Sequence, residues 1–120
     1  MKIVFFETED WERQYLKDRL SNIEISFCGD PLSEENINYA SGCEITSPFI
    51  YSKMDKNILQ KLPGLKMIAT RSTGFDHIDI MSAKESKIAV CNVPFYGENT
   101  VAEHTFALIL GLSRKLSESV

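Results

Sequence analysis

The sequence is poor in glycine, and its glycines are badly spaced for nucleotide binding. Gly29, Gly42, Gly64, Gly74, Gly97 and Gly111 are all there are, and no two stand two positions apart. A dinucleotide-binding turn needs G-x-G-x-x-G after a strand and an acidic residue about 20 positions later. No such turn is present. Cysteine is also scarce: Cys28, Cys43 and Cys91 are odd in number, far apart and without a C-x-x-C pair. Buried free thiols in a reducing cytosol are the expectation for all three. Only His77 and His104 could add nitrogen ligands, so a metal site is not expected. There is no basic block, and 13 Lys and Arg against 17 Asp and Glu leave a net charge of −4. That balance argues against nucleic acid and against an anionic membrane surface as partners. No apolar run reaches the roughly 20 residues of a membrane span. The opening MKIVFFETED turns acidic too soon for a signal peptide. A cytoplasmic chain is expected.

What is present is an ordinary globular composition, 43% hydrophobic and 25% charged over 120 residues. That is one domain with enough chain to bury a core. The run Lys2–Phe6 is apolar without a break, as in a parallel strand covered on both faces. A helix is expected over about Glu9–Leu20, with Trp11, Tyr15, Leu16 and Leu20 as its core stripe and Trp11 as a core anchor. Ile23–Phe27 alternates, as a less buried strand near an edge would. Gly29-Asp30-Pro31 breaks it, and Ser33 is expected to cap a short helix through Ala40. Cys43–Ser47 reads as a third strand bounded by Pro48. Met54–Leu62 reads as a helix stopped by Pro63-Gly64. Strand Leu65–Thr70, helix Ile78–Ser86 and strand Ile88–Asn92 follow, with Asp76 or Asp79 as the helix cap.

The alternation predicts an α/β, flavodoxin-like doubly wound parallel sheet of about five strands. Order 2-1-3-4-5 is suggested by that fold rather than read from the residues. A last helix is expected from a Thr100-Val101-Ala102-Glu103 capping box. Phe106, Ala107, Leu108, Ile109, Leu110, Leu112 and Leu116 then make it apolar nearly all round. Such a helix protrudes in search of cover: a following domain, a second subunit, or both.

Three loops should meet beyond the carboxyl ends of the strands, where doubly wound sheets bind ligands. They are Ser47–Lys53, Arg71–Asp76 and Pro94–Thr100. Ser72-Thr73-Gly74 presents backbone N–H groups that could hold a carboxylate. Gly74 would let backbone turn tightly or approach a ligand without a Cβ in the way. Alone, this stretch reads better as a plain strand-to-helix turn. Arg71 suits a carboxylate clamp in chemistry, yet a structural ion pair or interface contact is the expectation. His77 is expected at a helix start without a catalytic part, and His104 as a packing or interface residue.

The stretch RSTGFDHID followed by VCNVPFYGENTVAEHTFALIL resembles the N-terminal region of the D-isomer-specific 2-hydroxyacid dehydrogenases, close to their D-lactate dehydrogenase branch. The likeness extends more loosely back to Met1. It implies that the backbone of Thr73 and Gly74 receives the carboxylate of a small 2-oxo or 2-hydroxy acid. It implies that Tyr96, and Tyr51 less directly, reach that substrate. It implies NAD as the cofactor of the parent protein. The nucleotide fingerprint, the family's arginine, its acidic partner and its proton-transferring histidine would all lie beyond this stretch. On that basis residues 1–99 form a substrate-side domain, and 100–120 a connecting helix toward a nucleotide-binding domain and a homodimer contact through 100–116. The chain alone is expected to be inactive. A stand-alone flavodoxin-like module that dimerises through its last helix is the alternative. An FMN- or phosphate-binding domain is disfavoured, because Glu7-Thr8-Glu9-Asp10 after the first strand would repel phosphate.

Overall fold

The computed structural model describes residues 1–118, so the last two positions of the expected 100–120 helix lie outside the described residues. Five short strands form one parallel sheet: β1 (Lys2–Phe5), β2 (Glu24–Phe27), β3 (Ile45–Ser47), β4 (Met67–Ala69) and β5 (Ala89–Cys91). Their order is β2-β1-β3-β4-β5, the flavodoxin-like order. β1 is central enough to pair on both sides, Val4 with Ser26 of β2 and with Thr46 of β3. Thr46 pairs in turn with Ile68 of β4, and Ile68 with Val90 of β5. Val4, Thr46 and Ile68 are fully buried across the middle of the sheet. The Thr46 hydroxyl there has no hydrogen-bond partner among the described residues.

Alternation along β1 assigns the two faces. Val4 and Phe6 join the main core with Met54, Ile58, Leu59, Leu62, Ala83 and Ile88. That places α2 (Lys56–Gln60) and α3 (Ile80–Glu85) over this face. Phe5 points the other way and stacks on Phe27, ring centroids 5.6 Å apart. Lys17 of α1 (Asp10–Arg19) lies over that Phe27 ring. Helices thus cover both faces, as a parallel sheet requires. Burial is lopsided, however, for α1 has no buried residue.

Several expectations change here. Trp11 is 69% exposed and is not a core anchor, because its side of α1 meets no second layer among the described residues. Cys28 and Cys43 are buried free thiols, and burial raises the Cys43 pKa, but Cys91 at the edge strand β5 is exposed. The Ser33–Ala40 helix shrinks to a 3-10 turn, Ile37–Ala40. Ser33 does not cap it; instead the Asn36 side chain accepts from the Ser33 N–H at 2.8 Å. Met54 precedes α2 rather than starting it, and Asp55 caps that helix by accepting from the Ile58 N–H at 3.0 Å. Asp79, not Asp76, caps α3.

The last helix, α4 (Glu98–Ser113), starts two residues earlier than expected, behind Gly97. Thr100 therefore sits inside the first turn and the Thr100–Glu103 capping box does not form. The working capping box is at α1, where the Glu12 carboxylate accepts from the Glu9 N–H at 3.0 Å. α4 has no buried residue, and Leu112 is 80% exposed. The radius of gyration, 18.2 Å over extents of 58 × 34 × 26 Å, exceeds the roughly 14 Å of a compact chain this long. The protruding apolar helix accounts for the difference.

Candidate functional site

The carboxyl edge of the sheet is built around three residues that close it from below. Arg71 stands two residues past the end of β4. Its guanidinium donates to the carbonyls of Ser47 (2.7 Å), Phe6 (2.8 Å) and Glu7 (2.9 Å), and pairs with Glu12 at 3.5 Å. Burial lowers its pKa, with Glu12 and Glu7 opposing. A guanidinium so occupied ties the ends of β1 and β3 to α1 and has little left for a substrate anion. The structural expectation for Arg71 holds.

Glu7 was invisible in the sequence as a site residue. It leaves β1 in the left-handed region, φ 54°, an uncommon conformation for a residue with a Cβ. That turn swings its carboxylate under the loop after β3. There it accepts from the N–H groups of Phe49 (3.1 Å), Tyr51 (2.9 Å) and Ser52 (2.9 Å), and from the Ser52 hydroxyl. The Tyr51 loop is thus moulded on one carboxylate just past β1.

The third residue is Ser72. In the loop after β4 the carbonyls of Ser72, Thr73 and Gly74 are each held by a hydrogen bond. The Ser72 carbonyl accepts from the Val93 N–H at 3.0 Å, the Thr73 carbonyl from Asn92 Nδ2 at 2.8 Å, and the Gly74 carbonyl from the Ser72 hydroxyl at 2.7 Å. The N–H groups of Thr73 and Gly74 donate to nothing among the described residues. Both residues are exposed. Two free, outward amides beside a fixed loop suit a small anion. Gly74 does not have a left-handed φ, and a Cβ built on it would meet only Asp76 Oδ2, at 3.7 Å. The fold itself could therefore carry a side chain there.

Tyr96 joins this loop. Thr73, Pro94, Tyr96, Gly97, Glu98 and Val101 line one open cavity of about 270 Å³. Glu98 is its acidic member and opposes an anion, an adverse charge that the two amides must outweigh. Tyr51 does not share this cavity. It lines a 380 Å³ cavity with Lys53, Asp55 and His77, and a 570 Å³ one with Trp11, Phe49 and Arg71. The 570 Å³ cavity has carboxylates from Glu7, Glu9 and Glu12 around an already occupied Arg71, so it is a poor home for an acid substrate. The Arg71–Asp76 loop meets both of the others: Thr73 shares the 270 Å³ cavity with Tyr96, while the Arg71 N–H donates to the Pro48 carbonyl at 3.0 Å and Asp76 lines the 380 Å³ cavity with Tyr51. His104 is exposed on α4. His77 is half-buried; burial pulls its pKa down, against the upward pull of Glu7 and Asp76.

Among the described residues, the turn between β1 and α1 does not suit a dinucleotide. The turn after β1 is acidic, and the start of α1, where a phosphate would sit, is closed by the Glu12 carboxylate.

A profile of the family described as D-isomer specific 2-hydroxyacid dehydrogenase, catalytic domain, matches residues 3–115. A 2-hydroxyacid dehydrogenase homolog of Haemophilus influenzae is 32% identical over 120 residues, covering 97% of this chain and 36% of the relative. The D-lactate dehydrogenase of Escherichia coli is 31% identical, with the same coverage of 97% and 36%. The crystal structure of D-lactate dehydrogenase from Aquifex aeolicus, complexed with NAD and lactic acid, aligns with a TM-score of 0.89 at 34% identity. That alignment covers 97% of this chain and 35% of the Aquifex one. The chain spans about a third of the length of these relatives. From β1 through α4 it lies within the match, and it belongs to the D-isomer-specific 2-hydroxyacid dehydrogenase family, in the catalytic domain of that family.

Proposed function

We propose that this chain is the substrate-side part of an NAD-dependent D-2-hydroxyacid dehydrogenase of D-lactate type. The parent activity interconverts a small 2-hydroxy acid and its 2-oxo acid. Within this chain the work is orientation. The Thr73 and Gly74 amides hold the substrate carboxylate, Tyr96 closes on it from the same cavity, and Tyr51 approaches from the neighbouring loop. One observation carries the reading: the Ser72–Gly74 loop has its carbonyls bonded inward and two amides free, and its Thr73 lines one cavity with Tyr96. Such orientation can lower a barrier by several kcal/mol, but no residue here is placed to move a proton or a hydride. NAD binds elsewhere in the parent protein, because the turn between β1 and α1 does not suit it.

Residues 1–99 act as the substrate domain and 100–120 as the connecting segment, within which α4 runs to Ser113 and has its exposed apolar surface covered by a nucleotide-binding domain and a second subunit. An exposed apolar surface of this kind marks an interaction site. The buried free thiols of Cys28 and Cys43 fit a cytoplasmic setting.

The test is a titration of the 15N-labelled 120-residue chain with pyruvate. The amide signals of Thr73 and Gly74 should shift first, and NADH should not be consumed. Still amides at millimolar pyruvate would sink carboxylate binding; steady NADH oxidation would sink the assignment of catalysis to another part. The exposed α4 also favours a second reading, a stand-alone module that dimerises through it. Sedimentation separates the two: a tight, reversible dimer that ignores pyruvate supports the module.

A further inference from the structure

The loop that presents the two amides is not held by backbone alone. Behind it runs a line of buried polar groups that the proposed chemistry does not use. His77 Nε2 lies 3.1 Å from Thr70 Oγ1, which lies 2.7 Å from Ser72 Oγ, which lies 2.7 Å from the Gly74 carbonyl oxygen. Thr70 and Ser72 are each 3% exposed.

Counting hydrogens gives this line a direction. A hydroxyl has one hydrogen and a carbonyl has none. The Ser72 hydrogen therefore goes to the Gly74 carbonyl. Ser72 Oγ must then accept from Thr70. Thr70 Oγ1, with its hydrogen spent, must accept from His77, so His77 carries its proton on Nε2. A second acceptor for Thr70, the Pro48 carbonyl, lies at 3.5 Å and is too long to compete. The bonds run one way, from the imidazole to the Gly74 carbonyl, and each polarises the next.

We propose that His77, Thr70 and Ser72 are positioning residues, which fix the Gly74 carbonyl inward and so lock the end of the turn that presents the Thr73 and Gly74 amides to the substrate carboxylate. The inference deepens the carboxylate-binding reading and rests on it. The loop's other two carbonyls are fixed from β5, through Val93 N–H and Asn92. The Gly74 carbonyl is fixed only by this line among the described residues. Without it the peptide after Gly74, which carries the Phe75 N–H, is free to rotate, and the turn that presents the Thr73 and Gly74 amides loses its third tie.

The experiment compares the 15N-labelled 120-residue chain with its Thr70→Val, Thr70→Ser and Ser72→Ala variants, titrated with pyruvate. Valine keeps the shape of threonine and removes the hydroxyl; serine restores the hydroxyl. Thr70→Val and Ser72→Ala should weaken pyruvate binding roughly fivefold, the worth of one ordinary hydrogen bond. Thr70→Ser should bind as the parent does. Amide signals of β2, far from the loop, should stay in place in all three and report that the fold is kept. Equal binding by all variants, with the parent's Thr73 and Gly74 amides still shifting, overturns the inference and leaves carboxylate binding standing. A parent chain whose amides do not shift removes carboxylate binding, and the inference with it. Unfolding of both Thr70→Val and Ser72→Ala assigns the line to the fold as a whole and overturns the inference.

Discussion

Replacing Arg71 with methionine separates a structural guanidinium from a substrate clamp. Methionine keeps most of the apolar stem and removes every donor. Of the three carbonyls involved, Ser47 keeps a bond from the Phe6 N–H at 3.1 Å. The Phe6 and Glu7 carbonyls lose their Arg71 partner at 2.8 and 2.9 Å. A buried carbonyl left without a donor costs about 1–3 kcal/mol. Water can reach part of this site, since the Arg71 side chain is 20% exposed, so the lower half of that range applies to each. Glu12 also loses its cation, a small loss because it still accepts from the Glu9 N–H. The total is about 3 kcal/mol, a large part of the 5–15 kcal/mol that holds an ordinary domain together. With about 2.1 cal/mol/K of unfolding entropy per residue, a chain of this length should lose about 12 °C in Tm. Thermal unfolding followed by circular dichroism measures it. Arg71→Lys should recover less than half, because one ammonium cannot reach carbonyls from two strands. A Tm within about 4 °C of the parent, with pyruvate binding lost, would refute the structural role and restore the clamp.

Glu7→Ala should leave the sheet intact but release the loop after β3; hydrogen exchange at the Phe49, Tyr51 and Ser52 amides should speed up at least about tenfold, and unchanged protection would contradict the mould. Thr46→Val removes a buried, unpartnered hydroxyl at equal shape and should stabilise by about 1 kcal/mol, read as a higher urea midpoint. His77 has a pKa lowered chiefly by burial, so the unfolded chain takes up its proton before the folded one does. Stability is then complete above the unfolded value of about 6.5 and declines as pH falls from there toward the folded value. Urea unfolding at pH 7.5 and 5.5 should show that decline, and His77→Gln should flatten it. Gly74→Ala should keep the parent Tm, given the open space around a Cβ, yet weaken pyruvate binding; a lower Tm with normal binding would reverse that assignment.

Much of the fold could be read because its signals are local. Apolar runs such as Lys2–Phe6 and breaks such as Pro63-Gly64 place strands and turns within a few residues, and all five strands form inside their expected bounds. Misreadings came where one local pattern admits two outcomes. Thr100 and Glu103 have capping-box spacing, but the chain turns helical at Glu98, and an N-cap must lie outside the helix it caps. Trp11 and Tyr15 form a stripe, but a stripe is buried only if something packs on it. Thr73, Gly74 and Tyr96 could be named from the family motif; that Thr73 and Tyr96 line one cavity while Tyr51 lines others could not.

The sequence by itself determined the strand and helix succession, the absence of a dinucleotide turn and the family motif, because each is written in neighbouring residues. Tertiary structure decided which groups hold the site. Glu7 reaches Phe49, Tyr51 and Ser52 across 42, 44 and 45 positions, and Arg71 reaches Phe6 and Glu7 across 65 and 64. No local pattern encodes such pairs. Parallel strands bring their carboxyl ends together only after long crossovers, and it is there that a carboxylate just past β1 and a guanidinium just past β4 find the backbone groups they satisfy.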